Sequence, residues 1–207
     1  MISAQTSLTF FGISVLLALA PGPDNLFVLM QSALYGRRTG LLIVLGLCTG
    51  LLVHTSAVAL GLAAVLAASE TAFTVLKFVG AGYLIALAWQ AFRASPASLA
   101  SPAHHAHDAR MYMRGIAMNV TNPKVAVFFL AFLPQFVEPD RGAPVPQIVW
   151  LGCLFIASTL VTFGAIAYFA AALGTMLRRS PRIQRWMNAI AGCLFVALAA
   201  RLAAAQR

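Results

Sequence analysis

The chain has 207 residues, of which 61% are hydrophobic and only 9% charged, against about 25% charged in an average soluble domain. That composition excludes a soluble globular fold and marks an integral, all-α membrane protein whose first partner is the lipid bilayer. The formal net charge of +9 does not make nucleic acid a partner, because no basic face of a soluble domain is present to carry it.

Six apolar stretches follow in order, each about long enough for the roughly 20 residues that a crossing helix needs. The first, about 6–35, contains Pro21-Gly22-Pro23-Asp24-Asn25. A cleaved signal peptide competes for its first part, since Leu8 to Ala20 resembles an h-region; the basic n-region is missing, with no Lys or Arg before Arg37. The second stretch, about 40–67, places His54 in mid-span. An imidazole changes charge near neutral pH, so His54 is a candidate proton carrier, with hydrogen-bonded packing as the plain alternative. In the third, about 72–92, Lys77 lies a turn inside the end and is expected to snorkel.

The linker that follows, about 94–114, is rich in Ala, Ser and Pro and carries His104, His105 and His107. Such imidazoles could gather a borderline metal, although no second ligand cluster accompanies them. The fourth stretch, about 115–137, holds Asn119-Val120-Thr121-Asn122-Pro123-Lys124, and the fifth and sixth run about 147–174 and 186–203. Cys48, Cys153 and Cys193 lie within the stretches without metal or redox spacing, so packing is their expected role. No His-Glu-x-x-His or Gly-x-Ser-x-Gly arrangement occurs, and neither an enzyme nor a cofactor is expected.

Charge sorts the loops. Arg37, Arg38, Arg93, Arg110, Arg114, Arg178, Arg179, Arg182 and Arg185 follow the odd-numbered stretches, whereas Glu70, Glu138 and Asp140 follow the even ones. The positive-inside rule makes the first set cytoplasmic and both termini periplasmic.

The two proline-broken segments carry the functional expectation. Pro23 and Pro123 occupy corresponding places in the two halves. Three spans per half is an odd number, so a duplication predicts two inverted three-helix repeats, about 1–93 and about 115–207, within one transporter domain over 1–207. Interrupted hydrophobic segments at matching positions point to a midplane substrate site in secondary transporters. Each proline removes a backbone donor, and lipid cannot satisfy the freed groups, so the breaks must face protein or a water-filled cavity. The helix starting near Asp24 suits a carboxylate, and freed carbonyls suit an ammonium.

Asp24 and Lys124 are opposite charges whose burial in lipid would cost about 2.5–3.5 kcal/mol each. They are expected to meet as an ion pair that substrate or a proton opens. The expected substrate-binding residues are Pro21, Gly22, Pro23, Asp24, Asn25, Asn122, Pro123 and Lys124, and the proton-coupling residues are Asp24 and His54.

Pro21 to Asn25, Gly36-Arg37-Arg38-Thr39-Gly40, Leu76-Lys77 with Gly80 to Leu84, and Asn122-Pro123-Lys124 with Phe128 to Phe136 together resemble the LysE/RhtB family of amino acid exporters. The resemblance spans nearly the whole chain. It implies a six-span inner-membrane exporter of amino acids or their derivatives, driven by the proton gradient, with a homodimer as the expected assembly. Some members carry a polar or acidic residue where Leu51 stands, and with Asp24 as the intramembrane acid a neutral amino acid is favoured over lysine or arginine. The alternative is a divalent metal cation exporter of the same broad superfamily.

Overall fold

A computed structural model describes residues 2–68, 70–93, 108–170, 172 and 180–204. Eight α-helices and no strand occur among the described residues. Helix α1 (Ala4–Leu19) starts at Ser3, whose hydroxyl accepts the Thr6 N–H at 3.1 Å. Helix α2 (Pro23–Tyr35) leaves it at a 64° bend. Pro21 and Pro23 cannot donate to carbonyls one turn earlier, and Gly22 between them is extended. At the end of α2, Gly36 takes φ +88°, a left-handed conformation that favours glycine.

Helices α3 (Arg37–Ala68) and α4 (Glu70–Arg93) follow, then α5 (Asp108–Thr121) and α6 (Pro123–Val127). The second bend, 50°, falls at Asn122. Beyond α6 the chain widens into a π-turn over Phe128–Phe132 and tightens into a 3₁₀ turn over Leu133–Phe136. Pro134 accounts for the irregularity, because it cannot bond to the carbonyl four residues before it. Helices α7 (Pro144–Tyr168) and α8 (Pro181–Ala204) complete the chain.

Residues Arg37–Gly61 of α3 and all of α7 are long and apolar enough to cross a membrane, and each bent pair is so when taken as one span. Helices α4 and α8 lie where the third and sixth spans are expected. The His104, His105 and His107 loop lies outside the described residues.

Helix α3 packs on α5 and α7, α1 packs on α7, and α4 packs on α8. Small residues set these crossings, as membrane helices lack a hydrophobic drive to associate and rely on close contact. A Cβ at Gly46 would strike the Tyr112 carbonyl, and one at Gly115 the Ile43 carbonyl. Side chains such as Leu8, Leu60 and Val79 are more than 60% exposed (73%, 78% and 64%), an outer surface suited to lipid rather than water.

Two packed regions lie along the bundle. One is aromatic, joining Phe10, Phe128, Phe129, Phe132, Phe136 and Phe155, with Phe10 and Phe136 rings 5.0 Å apart. The other is smaller and aliphatic, around Val28, Ile43, Val44, Leu47 and Met111. Beside the aromatic region, Glu138 ties down the start of α1. Its carboxylate accepts from Ser3 N (3.1 Å), Ser3 Oγ (2.8 Å) and Thr6 Oγ1 (2.6 Å), and pairs with Arg141 Nε at 2.8 Å. The Gln147 amide brackets the Glu138 backbone, accepting from its N–H at 2.8 Å and donating to its carbonyl at 2.9 Å.

Candidate functional site

The bonds lost at the first break leave specific oxygens in need of donors. Pro21 cannot bond to Leu17 O, and the extended turn also releases Ala18 O and Ala20 O. Each is taken by a side chain. Lys124 Nζ donates to Leu17 O at 3.3 Å and to Ala20 O at 3.2 Å, while Asn25 Nδ2 donates to Ala18 O at 2.6 Å. The expectation that freed carbonyls suit an ammonium therefore describes the contact, with Lys124 itself supplying the cation. A Cβ at Gly22 would sit 3.2 Å from Lys124 Nζ, so the glycine also leaves room for the side chain.

The second break repeats the logic with other chemistry. Pro123 cannot bond to Asn119 O, which instead accepts Asn122 N at 3.0 Å and lies 3.1 Å from His54 Nε2. A carbonyl only accepts, so Nε2 carries the hydrogen in this contact. Asn122 then caps α6, its Oδ1 accepting Lys124 N at 3.0 Å, and its Nδ2 crosses to Asp24 Oδ2 at 2.7 Å. The His54 ring also stands 5.6 Å from that of Phe129 in the π-turn.

Asp24 and Lys124 are both buried, at 4% and 7% exposure, and line one cavity. They do not form the direct ion pair expected from sequence: the salt bridges among the described residues are Arg38 with Asp108 and Arg141 with Glu138. Asn122 occupies Asp24, and the broken end of α1 occupies Lys124. The physical reason is that the breaks themselves create carbonyl acceptors, which compete with the carboxylate for the ammonium. Asn119 Oδ1, Asn25 Oδ1 and Asp24 Oδ1 are buried oxygens without a hydrogen-bond partner.

Of the expected residues, Asp24, Asn122 and Lys124 come together, Asn25 braces the first break, and Pro21, Gly22, Pro23 and Pro123 shape the backbone. His54 reaches the second break rather than the cavity wall. Sequence reasoning missed eight residues of the wall. Leu17, Ala18 and Leu47 form part of the wall; Asn119 and Val125 come from the second break; and α7 adds Phe155, Thr159 and Phe163. The signal for α7 was present in Ser158, Thr159 and Thr162, hydroxyls inside an apolar span that are all buried. The cavity amounts to about 20 Å³, counted as room for the centre of a water. That holds a water but is smaller than an amino acid.

A family model described as LysE type translocator matches residues 15–206. The chain is 35% identical over 199 residues to an uncharacterized membrane protein of Vibrio cholerae, covering 93% of this chain and 94% of that one. It is 34% identical over 194 residues to the homoserine/homoserine lactone efflux protein of Salmonella typhimurium, covering 93% of each. With the threonine efflux protein of Salmonella typhi it shares 27% over 188 residues, 88% of this chain and 90% of the relative. No solved structure matches.

Proposed function

Since this chain belongs to the LysE type translocator family, we propose that it is a secondary active exporter of amino acids or amino acid derivatives across the inner membrane, coupled to protons. The observation that carries the reading is the convergence of both helix breaks on one buried cavity, with Asp24 from one half and Lys124 from the other. Homoserine and threonine, named for two relatives, are neutral zwitterions with a hydroxyl. An acid and a base on one cavity match the two charges of such a molecule, and the N-terminal turn of α2 offers its dipole to the carboxylate. Homoserine lactone keeps the ammonium and lacks the carboxylate, which makes the acidic side of the cavity the common anchor.

The architecture we propose is six spans in two inverted repeats, pairing α1–α4 with α5–α8. The cross-packing supports it: α3 lies on α5, α7 on α1, and the corresponding pairs α3 with α7 and α4 with α8 lie against each other. The arginines of the alternate loops support periplasmic termini, and a homodimer is the proposed assembly. Proton coupling is assigned to Asp24 and His54. Protonating Asp24 would weaken its hold on Asn122, and His54 holds the other end of the same segment through Asn119 O.

The test is counterflow of radiolabelled homoserine, threonine, lysine and a wider amino acid panel in proteoliposomes with an imposed pH gradient. Accumulation of neutral amino acids that collapses with the gradient is expected. Absence of any amino acid flux, or flux of zinc or manganese in its place, would overturn the reading.

A further inference from the structure

Buried oxygens without a donor are rare in folded proteins, and one beside a cavity is matched when a ligand brings the donor. Two such atoms belong to residues of the same cavity wall, Asp24 Oδ1 and Asn119 Oδ1. Both side chains are more than nine-tenths buried, at 4% and 3% exposure. Most of the remaining wall is apolar, from Leu47, Val125, Phe155 and Phe163, with Thr159 contributing a hydroxyl. The ammonium of Lys124 is turned to Leu17 O and Ala20 O.

Resting on the amino acid reading above, we infer that Asp24 and Asn119 form the subsite for the substrate's primary ammonium, with Asn119 as a specificity-determining residue. A primary ammonium has three N–H donors and no acceptor, so it complements one charged and one neutral oxygen. A quaternary ammonium carries the charge without the donors, and a deaminated acid carries neither. Asn119 is placed for this by three contacts. His54 Nε2 and Asn122 N fix its carbonyl at 3.1 and 3.0 Å. Gly50 leaves the space its side chain fills, for a Cβ there would stand 2.7 Å from both Asn119 Cβ and Asn119 Oδ1.

The test uses the purified full chain and two readouts. In thermal stabilisation, propylammonium chloride is the probe and tetramethylammonium chloride the control, since ligand binding to the folded state raises its melting temperature. In counterflow, labelled threonine is competed by threonine, N-acetylthreonine and deaminated threonine. Propylammonium is expected to stabilise the wild type and tetramethylammonium not to. N-acetylthreonine and the deaminated acid should compete roughly tenfold or more weakly than threonine, as loss of a charged hydrogen bond requires. Asn119→Leu should abolish the propylammonium shift and erase the discrimination, Gly50→Ala should do the same by crowding Oδ1, and Asn119→Asp, which keeps the oxygens, should retain both. Equal stabilisation by the two cations, unchanged discrimination in Asn119→Leu, or loss of it in Asn119→Asp would overturn the subsite. If no amino acid flows yet propylammonium stabilises in an Asn119-dependent manner, the exporter reading falls and the subsite stands; the reverse pattern separates them the other way.

Discussion

The two breaks solve one problem with different donors. At the first, two prolines and an extended glycine release several carbonyls, and a Lys124 ammonium from the other half covers Leu17 O and Ala20 O. At the second, a single proline releases Asn119 O, and His54 covers it. Lysine brings three donors and a charge, whereas histidine brings one N–H that persists whether the ring is neutral or charged. The first break is thus held by an amine from the other half of the chain that reaches two carbonyls at once, and the second by a single ring N–H on one carbonyl.

The largest effect expected follows from the missing ion pair. Exchanging the charges, Asp24→Lys with Lys124→Asp, should leave transport down by more than about 100-fold, because an uncompensated buried charge costs about 3–5 kcal/mol. A carboxylate at 124 would face the carbonyls of Leu17 and Ala20, which only accept. Recovery of counterflow in the double variant would show that the two charges serve each other, and the contrast between the breaks would collapse.

Asn122→Ala comes next. It removes the cap of α6 and the donor to Asp24, and should lower unfolding free energy by about 2–4 kcal/mol, combining a lost cap with an unpaired charged oxygen. Denaturant or thermal unfolding in detergent checks it; a change under about 0.5 kcal/mol would mean that the second break is held from elsewhere.

A smaller effect is expected at His54. His54→Gln should keep export within about tenfold of the wild type while flattening its dependence on pH across neutrality. Pro123→Ala restores an N–H that competes for Asn119 O and should flatten the same profile. If His54→Gln and Pro123→Ala give different profiles, the carbonyl is not the link between them.

Glu138 provides the comparison outside both breaks and the smallest effect. The hydroxyls of Thr6 and Ser3 hold its carboxyl below the ordinary glutamate value against an opposing effect of burial, and the Ser3 N–H and Arg141 each add less than that opposition. A depressed acid stabilises the fold fully above its unfolded pKa, about 4.3, and loses that contribution as pH falls through the lower folded value. Melting curves of wild type and Glu138→Gln should therefore differ at neutral pH and converge on acidification, with no change in the neutral-range export profile.

Much of this was legible in the residues. A charge within an apolar run, or a proline inside a predicted span, is costly enough in lipid to stand out without coordinates, which is why Asp24, Lys124 and both breaks were found. The partner of each was not legible. Sequence spacing pairs Asp24 with Lys124 by charge, but it does not count the carbonyls that the prolines release, and those carbonyls take the ammonium. Asn119 was visible as part of the break and not as a cavity residue, because the space for it comes from the absent side chain of Gly50 on another helix. The π-turn at Phe128–Phe132 was similarly hidden, since one proline at 134 does not specify whether the turn before it widens or tightens.

The crossing of Gly46 with Gly115 limits how the molecule can move. With backbone against backbone, a step of α3 along α5 would bring a neighbouring side chain into space beside the Tyr112 and Ile43 carbonyls that only glycine leaves free. In the proposed exporter the two helices would then travel as one body, and admission of a substrate would fall to rotation at the bends of 64° and 50°, by hinge rather than shear. Spin labels on the outer faces of α3 and α5 should keep a single mutual distance in every state, while labels on α1 and α2 should not.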